Sequence, residues 1–154
     1  MNKRPSWDEY FMQLAFLAST RSTCLSRKVG AVIEKEHQVI SMGYNGPACG
    51  VSHCEDKGGC ERKKKTDYKS GAYLELCLAS HAEQNAIAQA AKHGISTSGS
   101  TIYVTTFPCK DCMNSIVNSG IKKIVFEGDY NASLSKQIAL EAKIELINYV
   151  REKV

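Results

Sequence analysis

Two short polar motifs constrain this chain more than any other feature of its sequence. One is His81-Ala82-Glu83, and the other, some thirty positions later, is Pro108-Cys109-Lys110-Asp111-Cys112. Each stands at the predicted start of a helix, the first over 80–93 and the second over 108–119, and a glycine follows each helix as a stop. Cysteines at positions i and i+3 of a first helical turn point the same way, and a helix N-terminus favours the thiolate form that binds metal. Cys109 and Cys112 can therefore share one ion.

The residue types in the two motifs match the ligands of zinc. Two thiolates neutralise Zn²⁺, and a neutral imidazole from His81 as third ligand leaves one tetrahedral position open for water, as in catalytic rather than structural sites. Glu83 is too far around the helix to be forced into coordination but near enough to hydrogen-bond that water, so we predict that it carries the proton. Alone, a Cys-x-x-Cys pair is equally a structural half-site or a redox pair, and a His-x-Glu pair arises by chance. A non-enzymatic zinc module is the alternative, and Glu83 argues against it.

The rest of the chain alternates strands with helices. Apolar residues at three- and four-residue spacing predict an amphipathic helix from Trp7 to about residue 20, and two β-rich runs separated by the charged segment 34–38 predict a hairpin. The predicted strands are 29–33, 39–42, 101–105, 122–126 and 144–147, with a further helix at 133–141. This alternation is typical of an α/β sandwich around a parallel or mixed sheet. No repeat or linker divides the 154 residues, so we expect one domain with a cysteine-rich insertion at about 46–77.

The insertion has no sustained hydrophobic period. A long irregular segment in a compact domain usually has a function or is ordered by a bound metal ion. A chain of this length does not need a metal merely to fold, and seven cysteines cannot close into a complete set of disulfides. Metal cross-linking would explain how so long a loop becomes ordered. We therefore predict a second, closed zinc site drawn from Cys24, Cys54, Cys60 and Cys77, with His53 or Cys49 as alternative ligands. The other interpretation is that these residues are reduced thiols of a cytosolic protein.

Basic charge is concentrated in the insertion. The chain carries a net charge of +4, and the segment 57–69 carries the same net charge by itself. A nucleic-acid footprint usually spreads over a face or a helix, so we interpret this segment as a solvated loop, with phosphate binding as the alternative. No apolar run approaches the roughly 20 residues that span a bilayer, and no signal-peptide pattern opens the sequence. We expect a cytoplasmic protein that binds neither membranes nor nucleic acid.

Four blocks of the sequence resemble the cytidine and deoxycytidylate deaminase family and, within it, the deoxycytidylate deaminases of bacteria and their phages. The blocks are Arg27-Lys28-Val29-Gly30-Ala31-Val32-Ile33, Gly43-Tyr44-Asn45-Gly46, His81-Ala82-Glu83-Gln84-Asn85-Ala86-Ile87, and Thr106-Phe107-Pro108-Cys109-Lys110-Asp111-Cys112 with Ser119-Gly120-Ile121-Lys122. His-x-Glu followed by Pro-Cys-x-x-Cys is itself an established signature of zinc-dependent nucleobase deaminases. One departure is that Pro47 follows the second block directly, whereas the family usually has proline one residue later. The departure affects the expected loop shape and not the chemistry.

The resemblance implies a three-layer α/β/α fold with a central mixed five-stranded sheet. It also implies zinc-dependent hydrolytic deamination of dCMP to dUMP, which supplies dUMP for thymidylate synthesis. Deamination of dCTP, or of cytosine or adenine in nucleic acid, is the alternative. The expected partners are a small nucleotide substrate and further copies of the chain in a homo-oligomer, by resemblance a hexamer. Regulation by dCTP and dTTP, with Mg²⁺ bound to those triphosphates, is implied as well.

Substrate-binding residues are implied by the same resemblance. Asn45 would contact the sugar, although Asn-Gly otherwise signals a turn residue that caps its own backbone. Thr105 is expected to position the ring, and Tyr130 to pack either on the base or ribose or in the core. Three residues before the first strand are candidates for the 5′-phosphate, with a plain surface position as the alternative for each: Arg21, Ser26 and Lys28.

Overall fold

The architecture is a mixed sheet between two helical layers, seen in a computed structural model that describes residues 4–128 and 132–151. The strands are β1 (Gly30–Lys35), β2 (Gln38–Tyr44), β3 (Gly46–Pro47), β4 (Ala79–Ser80), β5 (Thr101–Val104), β6 (Lys123–Phe126) and β7 (Glu145–Asn148), and the helices are α1 (Trp7–Ser19), α2 (Ala82–Lys92), α3 (Lys110–Asn118) and α4 (Ser133–Glu141). The central sheet has the order β2-β1-β5-β6-β7. Strand β1 is antiparallel to β2 and β5, whereas β5, β6 and β7 run parallel. The predicted mixed five-stranded sheet is confirmed.

The two faces of the sheet bury separate sets of side chains, because successive residues of a strand point to opposite faces. On one face, α1 packs against alternate residues of β1, β5 and β6; this cluster contains Phe11, Met12, Ala15, Val32, Tyr103 and Val125. On the other face lie α2, α3 and α4; their cluster includes Ile33, Ala86, Ile102, Met113, Ile116, Ile124, Phe126 and Ala139. The layers are therefore α1, the sheet, and the three remaining helices, as expected.

The first hairpin is tighter than the sequence suggested. The charged run 34–38 is not a five-residue loop, because Glu34 and Lys35 extend β1 and Gln38 begins β2. Only Glu36 and His37 form the turn, with φ of 54° and 62°. Positive φ at both central residues is the backbone of a type I′ turn, the two-residue connection whose twist matches that of the flanking strands.

The glycine of β2 allows α2 to approach the sheet closely. A Cβ atom on Gly43 would lie 2.4 Å from the Ala82 carbonyl oxygen and 2.5 Å from the Ala86 nitrogen. Both atoms belong to the helix backbone, which cannot move aside cheaply. The absence of a side chain at residue 43 thus sets the position of the first turn of α2, where His81 and Glu83 are found.

The insertion is almost entirely irregular, as predicted. It leaves the sheet through β3 and returns through β4, and these two strands pair with each other in an antiparallel ribbon. Between them the chain forms only two short 3₁₀ turns, Glu61–Lys64 and Leu74–Leu76. In the described part of the chain, no helix is long and apolar enough to cross a membrane.

Candidate active site

Two helix N-termini bring three metal-binding side chains together. His81 is the N-cap of α2, directly after β4, and Cys109 is the N-cap of α3, in the loop after β5. The predicted start of the second helix at Pro108 is two residues early, because α3 begins at Lys110 and Pro108 lies before the cap. Nδ1 of His81 lies 3.4 Å from Sγ of Cys109 and 3.3 Å from Sγ of Cys112. All three potential ligand atoms lie within 4.8 Å of one another.

The charges of this group suit a soft divalent cation. Hydrogen bonds donated to Cys109 by the Cys112 thiol and by His81 lower the pKa of Cys109 to about 4, although burial opposes this. The same hydrogen bond between the two cysteines, and burial after it, raises the pKa of Cys112. The hydrogen bond with Cys109 also raises the pKa of His81, although burial opposes this. Two sulfur ligands and one imidazole fit zinc, and three protein ligands are the number found in catalytic zinc sites.

Glu83 is a buried acid beside these ligands. Its side chain is 3% exposed, and it lies in the first turn of α2, two residues after His81. Burial raises the pKa of Glu83, while the nearby His81 charge lowers it. A carboxyl group with a raised pKa can both accept and return a proton near neutral pH, as a general acid–base group must.

A cavity of about 230 Å³ opens onto Glu83 and the ligands. Several of its lining residues come from elements far apart in the sequence, so the sheet and the insertion build it jointly. The polar or charged lining residues are Cys24, Ser26, Arg27, Asn45, Arg62, Cys77, His81, Glu83, Thr106 and Cys109.

Asn45 lies at the cavity with its amide group engaged by the backbone. Its Oδ1 accepts a hydrogen bond from the Val29 nitrogen at 2.8 Å, and its Nδ2 donates to the Arg27 carbonyl oxygen at 2.8 Å. The side chain therefore bridges the end of β2 to the segment before β1. Asn45 therefore lines the cavity and fixes the segment that carries Arg27, while its contact with the sugar stays a prediction.

The other predicted substrate-binding residues differ in whether they line the cavity. Ser26 lines the cavity, and its Oγ lies 3.5 Å from the Tyr68 hydroxyl. Thr105 accepts a hydrogen bond from the Gly30 nitrogen at 3.1 Å, and its neighbour Thr106 is the residue that lines the cavity. Arg21 and Lys28 are exposed and are not among the described residues that line it. Tyr130 lies outside the described residues.

Two arginines of the cavity were missed by the sequence analysis. Arg27 is exposed and donates from Nη1 to Thr106 Oγ1 at 3.1 Å, and Arg62 reaches the cavity from the insertion. Arg27 belongs to the first resemblance block, so that block was the available signal. Arg62 was hidden within a basic segment that we interpreted as a solvated loop, and no periodicity distinguishes it from its neighbours.

The four cysteines proposed for a second zinc line one small cavity of about 30 Å³. Burial raises the pKa of Cys54, and the nearby thiols of Cys60, Cys77 and Cys24 raise it further. They are less tightly grouped than the first site: over residues 4–128 and 132–151, His81, Cys109 and Cys112 are the set of three found within 4.8 Å. All seven cysteines, each in a described position, are free thiols. Of the alternative ligands, Cys49 is exposed, and His53 Nδ1 lies 2.6 Å from Thr23 Oγ1.

Comparison with known proteins supports the same interpretation of the site. The model of the cytidine and deoxycytidylate deaminase zinc-binding region matches residues 5–128. The deoxycytidylate deaminase of Schizosaccharomyces pombe is 38% identical over 148 residues, which are 96% of this chain and 45% of that protein. The enzyme of the same name from Mycobacterium phage D29 is 41% identical over 129 residues, covering 80% of this chain and 95% of the phage protein. The chain therefore spans less than half the length of the Schizosaccharomyces pombe protein.

A solved structure shows the same architecture. The dCMP deaminase from the cyanophage S-TIM5, in complex with dCMP and dUMP, superposes with a TM-score of 0.77. It is 28% identical, and the match covers 96% of this chain and 100% of that chain.

Proposed function

Since this chain belongs to the cytidine and deoxycytidylate deaminase family, we propose that it is a zinc-dependent enzyme that converts dCMP to dUMP. The observation that carries the proposal is the placement of buried Glu83 beside the His81, Cys109 and Cys112 ligand group, at one cavity. The family assignment by itself leaves the substrate open among cytosine nucleotides. The names of the relatives and the dCMP and dUMP bound in the similar structure favour the deoxynucleoside monophosphate.

The reaction exchanges the amino group on C4 of the cytosine ring for oxygen. His81, Cys109 and Cys112 would hold Zn²⁺, which would act as a Lewis acid and lower the pKa of a water molecule toward neutrality. Glu83 accepts a proton from the attacking water and delivers it to N3 as the C4–O bond forms. Glu83 then takes the remaining proton from the new hydroxyl group on C4 and delivers it to the amino group, the C4–N bond breaks, and ammonia leaves. Water and dCMP are thus consumed, and dUMP and ammonia are produced.

The substrate assignment is tested with a panel of cytosine compounds. The purified protein is incubated with dCMP, CMP, dCTP, deoxycytidine and a cytosine-containing single-stranded DNA, and the absorbance change of cytosine to uracil is followed. We expect the highest kcat/KM with dCMP. If the DNA or dCTP is turned over faster than dCMP, that compound is the substrate in place of dCMP, and the proposed deamination chemistry still holds.

We further propose that Cys24, Cys54, Cys60 and Cys77 hold a structural zinc. Their common cavity and soft sulfur donors suit a closed site with four ligands. Elemental analysis of the purified protein should give two zinc ions per chain, and Cys60→Ser should reduce the count to one. One zinc per chain in fully active wild-type protein would eliminate the second site.

The oligomeric state and the regulation are proposed from the family resemblance alone. We infer a homo-oligomer, by analogy a hexamer, that dCTP with Mg²⁺ activates at low dCMP and that dTTP inhibits. The exposed Lys63, Lys64 and Lys65 are candidates for phosphate contacts, although Lys64 pairs with Glu61 at 2.6 Å. Light scattering tests the mass, and replacing the three lysines with glutamine should weaken both nucleotide effects. Hyperbolic kinetics that neither triphosphate changes would reject the regulation.

A further inference from the structure

Arg62 is placed at the boundary between two cavities. It lies in the 3₁₀ turn that follows Cys60, and it lines both the catalytic cavity and the cysteine cavity. Cys24, Ser26, Cys77 and Ala79 line both cavities as well, whereas His81, Glu83 and Cys109 line only the catalytic one among the cavities described. Arg62 therefore stands on the shared wall and not on the wall that carries His81, Glu83 and Cys109.

Its guanidinium group is held in place although the surrounding backbone is irregular. Nε donates a hydrogen bond to the Ala72 carbonyl oxygen at 2.8 Å, across ten residues of the insertion. The guanidinium carbon lies 5.6 Å from the centre of the Tyr68 ring. Tyr68 in turn lies 3.5 Å from Ser26, another residue of the shared wall. These contacts of Arg62 occupy its Nε and one face of its guanidinium group.

The described residues give Arg62 no carboxylate partner. The acid beside it in the sequence, Glu61, pairs instead with Lys64. No carboxylate in the ranges 4–128 and 132–151 lies within ion-pairing distance of Arg62. Burying a cation without a partner costs free energy, so a half-buried arginine at a cavity is suited to bind an anionic group of a ligand.

We propose that Arg62 binds the 5′-phosphate of the substrate and so makes the enzyme select a nucleotide over a nucleoside. A guanidinium group presents two parallel N–H donors that match the oxygens of a phosphate. Arg27 provides a second guanidinium group at the same cavity. The cysteine-rich insertion would then have a direct role in substrate selection, because it holds this arginine. The inference rests on the proposed deaminase function, which supplies the cytosine end of the substrate.

The test compares dCMP with deoxycytidine as substrates of the 154-residue chain. Arg62→Gln should lower kcat/KM for dCMP by roughly 10- to 100-fold, the effect of losing a charge-assisted hydrogen bond, and should leave the value for deoxycytidine unchanged. Arg62→Lys should restore part of the preference, because it keeps the charge but not the paired donors. Inorganic phosphate should inhibit the wild-type protein more strongly than Arg62→Gln. Lys69→Gln is the matched control, since Lys69 is an exposed cation of the same segment that lines neither cavity.

The possible results separate this inference from the proposed function. An unchanged ratio of dCMP to deoxycytidine activity in Arg62→Gln overturns the inference, and so does an equal loss with both substrates. If Arg62→Gln does not fold, the same ratio in Arg62→Lys decides, with an unchanged ratio again overturning it. If the wild-type protein deaminates neither compound, the proposed function fails. In that case calorimetric titration with dCMP still tests Arg62: weaker binding in the variant supports the phosphate contact, and equal binding rejects it.

Discussion

Glu83 is the side chain on which turnover should depend most directly. Glu83→Gln keeps the size and hydrogen-bonding capacity of the group but cannot move a proton, so we expect the rate to fall by about 10²- to 10⁴-fold. Zinc content and thermal stability should remain close to those of the wild type, because Glu83 is not one of the three grouped ligands. Steady-state kinetics, elemental analysis and thermal unfolding on the same preparation measure these three quantities.

The matched control for this variant is Glu145→Gln, an exposed acid on β7. It removes the same charge far from the cavity and should keep full activity. A Glu83→Gln protein that retains zinc and most of its turnover would remove Glu83 from the mechanism.

Cys109 should be required for the metal itself. Cys109→Ala leaves two ligands, which cannot hold zinc tightly against competing thiols and chelators. Activity and one zinc ion per chain should be lost together, and the ion proposed for the cysteine cavity should remain. Cys49→Ala is the comparison, because Cys49 is an exposed thiol that lines neither the catalytic cavity nor the cavity shared by Cys24, Cys54, Cys60 and Cys77. Equal zinc content in the two variants would contradict the assignment.

The residues at the cavity differed in how well the sequence could reveal them. His81, Cys109 and Cys112 were grouped correctly because helix geometry and zinc chemistry both restrict their spacing, and the structure brings their ligand atoms together. Arg62 could not be found in this way. Its place at the cavity depends on the path of an irregular segment and on its hydrogen bond to Ala72, which no local pattern encodes.

Helix α2 and strand β2 should be sensitive to any side chain at residue 43. In Gly43→Ala the added Cβ would lie 2.4 Å from the Ala82 carbonyl oxygen, so the helix must shift or the strand must bend. Overpacking of this kind costs about 1–3 kcal/mol, and for a domain of this size each kcal/mol lowers Tm by about 2–4 °C. Activity should also fall, because the shift moves His81 and Glu83. Thermal unfolding and kcat/KM measure the two effects.

Gly46→Ala is the matched control for the glycine prediction. Gly46 follows the same strand by two residues, and a Cβ atom there meets nothing within 4 Å. Its Tm should stay within about 1 °C of the wild-type value, as expected for a substitution without a steric clash. Equal Tm values for the two variants would show that α2 tolerates displacement from β2.

Helices and strands were predicted well where their hydrophobic periods are long, and their ends less well. The hairpin loop was predicted too long because Glu34, Lys35 and Gln38 are polar but pair within the strands, and turn geometry rather than polarity fixes the loop length. The start of α3 was placed at Pro108 because proline suits a first helical turn, whereas Cys109 occupies the cap. In both places the local preference of the sequence, for a turn or for a helix start, was correct. Contacts with the neighbouring structure determined which residues formed the turn or the cap.

The molecule divides into a packed sheet with its helices and an insertion without a core of its own. Both hydrophobic clusters draw their residues from outside 48–78, and no residue from 48 to 78 is buried. The sequence predicted this division, because the hydrophobic period stops and resumes near the same positions. It could not predict how the insertion lies, since that depends on contacts such as Arg62 with Ala72 and on the clustering of cysteines from distant positions.

Removal of zinc should therefore loosen the insertion and leave the sheet intact. We expect that treatment with a chelator speeds hydrogen–deuterium exchange of amides in 48–78, because metal bonds would replace the missing core as the source of order there. Amides of β1, β5 and β6 should stay protected, since the buried side chains of these strands hold no zinc. Cys60→Ser should reproduce the faster exchange of the insertion without chelator, and Cys49→Ser should not. If chelation leaves exchange in 48–78 unchanged while both zinc ions are removed, hydrogen bonds and packing, rather than metal, order the insertion.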